Sequence, residues 1–387
     1  MELFKFGEIL IPKSVDVKNW GVVACDQYTS QPEYWNTLRE KTSDPTSLDL
    51  IFPECFLSMD NEPIIERINS KMNEYLNGGV FKSVNGTVLV ERKTDHGTRW
   101  GLMALINLSE YSNDFTLKSL IRGTEGVVQS RIPPRVKIRK NAALELPHVM
   151  VLIDDKDRTV IEPLKGSGTV LYDGELNMGG GSITGYEISD VSGVTIALDK
   201  LLADSERKYG ERLMFLVGDG NHSLATAKAC MTDDNPLSGY ALVEIVNIYD
   251  EGLKFEPIHR VVFGVDNEKF ISGLKEALSG PEKIEIVCGD RTEQCAFPAD
   301  SIEGVDRVQR YIDGYIAQNG GEVDYIHGYD SLKEVVDKTK GVGIALRGID
   351  KNSFFSYVVK NGPMPRKTFS MGEAYEKRYY IEARKIK

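Results

Sequence analysis

The chain holds no apolar run approaching the roughly 18 residues that cross a membrane, and no Cys-x-x-Cys pair. Its five cysteines, Cys25, Cys55, Cys230, Cys288 and Cys295, are scattered. That usage fits reduced thiols, not a disulfide frame. Positive charge is in deficit: 47 Lys and Arg stand against 58 Asp and Glu, a formal net charge of −11. Such a balance opposes non-specific attachment to nucleic acid or anionic membrane, so neither is expected as a partner. No Gly-x-x-x-x-Gly-Lys-Ser/Thr segment occurs, which removes P-loop chemistry. No His pairs with another His or Cys at ligand spacing, so zinc is not expected. Met1 to Phe6 has no basic segment ahead of an apolar core, so no signal peptide is read and a cytoplasmic location is expected.

What is present is the composition of an ordinary globular protein, 41% hydrophobic and 27% charged over 387 residues, enough for two or three cores. Ile64, Ile65, Ile68, Met72, Tyr75 and Leu76 recur at helical spacing, which predicts a helix over 63–77 ended by Gly78-Gly79. Strands are expected at Thr87–Lys93, Leu102–Leu108, Tyr240–Tyr249, Pro257–Phe263, Gly343–Leu346 and Phe354–Val359. Val149–Ile153 and Thr159–Ile161 read as a hairpin, and glycine-rich 166–185 as a loop region. Val194–Tyr209, 267–279 and 303–318 read as helices. The tail Glu373–Lys387 is expected to begin as a strand or helix and then fray. The fold class is therefore α+β, a mixed α/β architecture.

The segment Leu213-Met-Phe-Leu-Val-Gly-Asp-Gly-Asn-His-Ser-Leu224 carries the strongest functional signal. A buried strand turns through Gly218, Asp219 and Gly220 into a helix start. Helix starts present free N–H groups and a positive dipole end, which suits phosphate. Asp219 is a candidate metal ligand or proton acceptor, and His222 a candidate ligand contact. The same letters describe a tight turn with Asn221 or Ser223 as N-cap and Asp219 bonding its own turn. The bare pattern leaves both readings open.

Other clusters are weaker. Arg131, Arg135, Lys137, Arg139 and Lys140 put five cations in ten residues, a possible anion clamp. Their alternation with Val136 and Ile138 reads instead as a half-buried strand, with room for one or two functional arginines after Pro133-Pro134. Glu125, in a short loop after Ser119–Arg122, reads from its surroundings as a solvated carboxylate. His259-Arg260 and Arg366-Lys367 suit either an anion or an edge strand.

Five segments together resemble the domain of unknown function 1015 family over nearly the whole chain. They are Val22-Val23-Ala24-Cys25-Asp26-Gln27-Tyr28, Arg122-Gly123-Thr124-Glu125, Val217 to Ser223, Pro257 to Val262, and Met364 to Gly372. That family is similar to the free serine kinases, whose core is of the ParB/sulfiredoxin type. The resemblance implies three regions: an N-terminal α/β region over 1–115, a catalytic core over 116–265 and a C-terminal α/β region over 266–387. It implies phosphorylation of free L-serine to O-phospho-L-serine, with pyrophosphate, ATP or ADP as donor and Mg²⁺ as cofactor. A non-catalytic module that binds nucleotide or phosphate on the same fold is the alternative.

By resemblance, Glu125 is the base, with Asp219 and His222 as its catalytic companions, and Asp219 and Glu125 are the metal ligands. Arg122, Arg131, Arg135, Gly220, Asn221, Ser223, His259, Arg260 and Lys367 are implied to hold phosphate, and Asp26 and Tyr28 the substrate. Asn221 and Ser223 depart from the kinase loop, where a His and an Arg stand. The missing Arg favours a small, highly charged donor such as pyrophosphate, with cations supplied by Arg122, Arg131, Arg135 or Arg260.

Overall fold

Val88 to Val90 and Leu102 to Ile106 are buried apolar runs within Thr87–Thr94 and Gly97–Asn107, and the two segments pair as an antiparallel hairpin closed at Asp95-His96. This hairpin anchors the main sheet of the protein, a computed structural model that describes residues 2–14, 16–57 and 61–387. Alternate residues of Gly97–Asn107 serve two cores. Met103 and Leu105 pack on one face, while Ala104 and Ile106 pack on the other, as the two-residue period of a strand requires. A sheet covered on both faces needs apolar strands throughout, and all eight residues of Tyr240–Asn247 are buried.

The chain divides into two units, Met1–Leu253 with Glu373–Lys387, and Lys254–Gly372. The first unit contains a ten-stranded mixed sheet. Its order runs Thr169–Glu175, Ser182–Ile188, Thr87–Thr94, Gly97–Asn107, Tyr240–Asn247, Met150–Ile153, Phe215–Asp219, Ile121–Gly123 and Tyr111–Ser112, with Phe4–Lys5 paired to Gly97–Asn107. Strands from both sides of the expected 115/116 boundary share this sheet, and the second unit begins at Lys254. Helices Pro32–Lys41 and Glu62–Asn77 supply one core with Trp35, Leu38, Ile65, Ile68 and Met72. Ser192–Tyr209 and Asn221–Ala229 supply the other with Val194, Leu198 and Leu224.

The second unit carries a six-stranded antiparallel sheet built on Glu256–Phe263, with helices Asn267–Ala277, Ser301–Asn319 and Tyr329–Thr339. The mixed α/β class expected from the sequence is what the structure shows. Among the described residues no helix is long and apolar enough to cross a membrane.

Five local readings change. The basic segment is a helix, Ile132–Lys140, not a strand. Its prolines sit in the first turn, where a missing N–H costs nothing. The four-residue spacing of Arg131, Arg135 and Arg139 then places them along one side. Residues 166–185 form the antiparallel strands Thr169–Glu175 and Ser182–Ile188. Gly185 is there for close approach, since a Cβ would lie 2.2 Å from the Tyr172 ring. Phe354–Asn361 is a helix that buries Phe354, Phe355, Tyr357 and Val358, so packing overrides the β preference of these residues. Met150–Ile153 pairs with Phe215–Asp219 and Tyr240–Asn247 and not with 159–161. The tail does not fray: Tyr379–Tyr380 pairs with Val22–Val23, Arg384–Lys385 pairs with Leu144–Glu145, and Arg378, Glu382 and Arg384 are buried.

Candidate active site

Strand Phe215–Asp219 ends at Gly220, and helix Asn221–Ala229 begins at once. Gly220 has a φ of +81°, and a Cβ there would lie 3.0 Å from Val149, so the reversal calls for glycine. Gly220 is also the N-cap, which leaves the helix without a capping side chain. The capping role open to Asn221 or Ser223 is thus unused.

The first-turn side chains reach a neighbouring segment instead. Ile121–Gly123 lies parallel to Phe215–Asp219, with Gly123 opposite Val217. The chain after Gly123 therefore emerges beside the turn. Thr124 Oγ1 donates to the Val217 carbonyl at 2.8 Å. Asn221 Nδ2 donates to the Glu125 carbonyl at 2.7 Å, and the Val128 N–H donates to His222 Nε2 at 3.1 Å. Three hydrogen bonds tie 124–128 to the turn, and Glu125 is half-buried there. Burial, then Arg135 and Arg131, push the His222 imidazole down to about 4, so it is neutral near pH 7. Arg135 pairs with Glu54 and donates from Nη1 to the Arg131 carbonyl at 2.6 Å.

The other wall comes from distant segments. Asp219 accepts the Gly220 N–H through Oδ1 at 3.0 Å, and its Oδ2 lies 3.3 Å from Lys377 Nζ. Burial pushes the Asp26 carboxyl up, but His148, Gln27 and Lys377 more than offset this and hold it below the usual range. Asp26 Oδ2 lies 3.9 Å from His148 Nε2, and Ser223 Oγ lies 2.8 Å from that same nitrogen. On the ring's far side the Tyr380 hydroxyl lies 2.6 Å from Nδ1 and accepts the Cys25 N–H at 3.1 Å. A tyrosine hydroxyl has one proton, and since this oxygen already accepts the Cys25 N–H, we assign the proton to Nδ1. In the neutral imidazole Nε2 then carries the hydrogen and donates to Ser223 Oγ, an assignment made from the bonding pattern. In this assignment the Ser223 O–H is left to donate elsewhere.

The expected residues thus separate. Asp26, Glu125, Arg131, Arg135, Gly220, Asn221, His222, Ser223 and Asp219 belong to this cluster. Arg122 is buried, with Nε on the Ser119 carbonyl at 2.9 Å and Nη1 on Glu211 at 2.6 Å, so its guanidinium is engaged in a structural pair. Tyr28 stacks on Tyr34 with centroids 3.7 Å apart. His259, Arg260 and Lys367 belong to the second unit. There His259 Nδ1 accepts the Leu346 N–H at 3.1 Å, and Arg260 donates to Gln309 and to the Ile258 and Arg366 carbonyls. His148, Lys377 and Tyr380 join the cluster without any signal in the sequence.

A helix start, three carboxylates (Asp26, Glu125 and Asp219) and three cations (Arg131, Arg135 and Lys377) thus meet in one cluster on a mixed α/β scaffold, the arrangement that makes it the candidate site. The chain belongs to the family described as protein of unknown function DUF1015, whose profile matches residues 8–385. The comparison with curated proteins finds no match. Among solved structures, a free serine kinase in complex with AMP aligns at 12% identity and a TM-score of 0.40, covering 73% of this chain and 92% of that one. A conserved hypothetical protein from Pyrococcus furiosus aligns at 12% identity and a TM-score of 0.37, covering 72% and 93%. SbnI with a C-terminal truncation, from Staphylococcus aureus, aligns at 11% identity and a TM-score of 0.37, covering 72% and 85%. At such TM-scores these likenesses decide neither fold nor chemistry.

Proposed function

We propose that this protein is a phosphotransferase that phosphorylates the hydroxyl of free L-serine, using pyrophosphate or a nucleotide as donor. What supports the reading is the hydrogen bonding of the 124–128 segment to the strand before the turn, at Val217, and to the first turn of Asn221–Ala229, at Asn221 and His222. It sets a carboxylate-bearing loop against an anion-suited helix start, with Arg131, Arg135 and Lys377 in the same cluster.

Glu125 takes the proton of the serine hydroxyl, and the oxygen attacks phosphorus. The P–O bond to the leaving group breaks, which yields O-phospho-L-serine and, from pyrophosphate, inorganic phosphate. Ser223 O–H, Lys377 and the arginines stabilise the charge on the non-bridging oxygens. Asp219 keeps lone pairs beyond its bonds to Gly220 and Lys377, which suits Mg²⁺, an ion that takes one or two carboxylates together with phosphate oxygens. When bound, Mg²⁺ supplies further charge neutralisation on the phosphate.

The test is phosphorus NMR of the full chain with serine, Mg²⁺ and, in separate tubes, pyrophosphate, ATP and ADP. Formation of phosphoserine with one donor is the expected result. Binding of phosphate or nucleotide with no turnover in any tube would replace the enzyme with a non-catalytic binding module.

A further inference from the structure

A cavity of about 160 Å³ lies in the first unit, and most of its wall is apolar, with Leu50, Phe52, Met72, Ile138 and Leu146 among the lining residues. On the scale where an apolar cavity of about 150 Å³ takes up benzene, it suits a body of about six carbons. The charged groups in its wall are paired, Arg135 with Glu54 and Arg139 with Glu145, so the lining carries no net charge. Arg135, in that wall, has its Nε buried with no hydrogen-bond partner among the described residues. A buried donor beside an apolar wall favours an occupant that is apolar over most of its surface and brings one acceptor. Serine fits this poorly, because it has three polar groups and little apolar surface to set against a mostly apolar wall. A nucleotide base fits poorly too, since its polar edge needs several partners.

We propose that this cavity binds a second ligand, a small and mostly apolar molecule of about six carbons that presents one carbonyl-type oxygen to Arg135 Nε. The inference goes beyond the phosphotransferase reading and does not need it. His148 and Ser223 also line the cavity, and Arg135 acts on His222, so an occupant there would touch the groups that shape the turn.

Isothermal titration of the full chain with benzene, benzamide and benzoate tests the idea, because the three share a six-carbon body. Benzamide is expected to bind roughly tenfold or more tightly than benzene, the yield of one hydrogen bond to a charged donor. Benzoate against benzamide then separates a carboxylate ligand from a neutral carbonyl one. Arg135→Met should erase the advantage of benzamide. Since that change strands Glu54, Ala142→Leu serves as the second variant: it fills the cavity and should abolish binding of all three while leaving the thermal midpoint within a few degrees. The proposal is overturned if benzamide gives no heat, if folded Ala142→Leu binds it like the parent, or if AMP displaces it. Failure to form phosphoserine would leave these binding results untouched, so the two readings fail separately.

Discussion

Removing one oxygen from Tyr380 tests the proton arrangement behind the site. In Tyr380→Phe the ring stays, so packing changes little. Two buried groups lose their partner: the Cys25 N–H, 3.1 Å from the hydroxyl, and His148 Nδ1, 2.6 Å from it. His148 is 8% exposed, so solvent replaces little of that bond. At about 1–3 kcal/mol for a buried group left unpaired, and the low end of that for the part-buried Cys25 N–H, the loss is expected to be ~2–4 kcal/mol. Tyr379→Phe is the internal control. That hydroxyl donates to the Asn177 carbonyl at 3.4 Å, a long bond, and its removal should cost less than about 1 kcal/mol. Urea denaturation at constant slope measures both. Nitrogen NMR of the imidazole should find the proton on Nε2 in the parent and a shift of tautomer in Tyr380→Phe. A Tyr380→Phe loss no larger than that of Tyr379→Phe, with Nε2 unprotonated in the parent, would refute the assignment and make Nε2 an acceptor from the Ser223 O–H.

Glu125→Gln should abolish phosphoserine formation and keep the Asn221 contact, which uses the backbone carbonyl of residue 125; near-normal turnover in the variant would remove Glu125 as base. Gly220→Ala should cost about 2 kcal/mol or more in chemical denaturation, since φ is +81° and the new methyl would lie 3.0 Å from Val149, and an unchanged midpoint would contradict the reversal described here. Acid should weaken the fold through His222 and His259, each pushed down to about 4 chiefly by burial. Their unfolded values lie near 6.5, so the unfolded chain takes up protons first. This contribution is complete above about pH 6.5 and is lost as pH falls toward 4. For half-exposed His222 solvent screening leaves about 1–2 kcal/mol of it. His222→Gln should flatten that part of the stability–pH curve, and an identical curve would show that the ring is not held neutral.

Periodicity was readable where one face of an element decides its burial. The apolar stripe of Glu62–Asn77 and the apolar run of Tyr240–Asn247 appear in the structure nearly as expected. It misled where local composition and packing disagree. Alternating charge in 131–140 has a strand's period, yet two prolines followed by cations four apart also satisfy a helix start. The glycines of 166–185 signalled irregularity, but Gly185 makes room for Tyr172 across a regular strand pair. A sequence shows that a residue is small; it does not show what stands opposite.

The same limit governs the site. The turn at Gly220 was legible because strand, glycine and helix start are adjacent in the chain. Charge was legible too, but not its destination. Arg122 is answered by Glu211, 89 residues on, while Lys377, from a tail expected to fray, stands beside Asp219. What holds that tail is Arg378, buried against Glu244 and Glu382, with Nε on the Pro147 carbonyl at 3.0 Å. A buried ion pair adds little net stability over a well-packed apolar substitute. Here it fixes register: Lys377 on one side of Arg378 and Tyr380 on the other are set against Asp219 and His148, and Pro147 immediately precedes His148. A leucine at 378 could fill the same volume, but it could not choose between neighbouring registers of Tyr379–Tyr380 on Val22–Val23. A one-residue slip would turn Tyr380 to the opposite face and away from the imidazole.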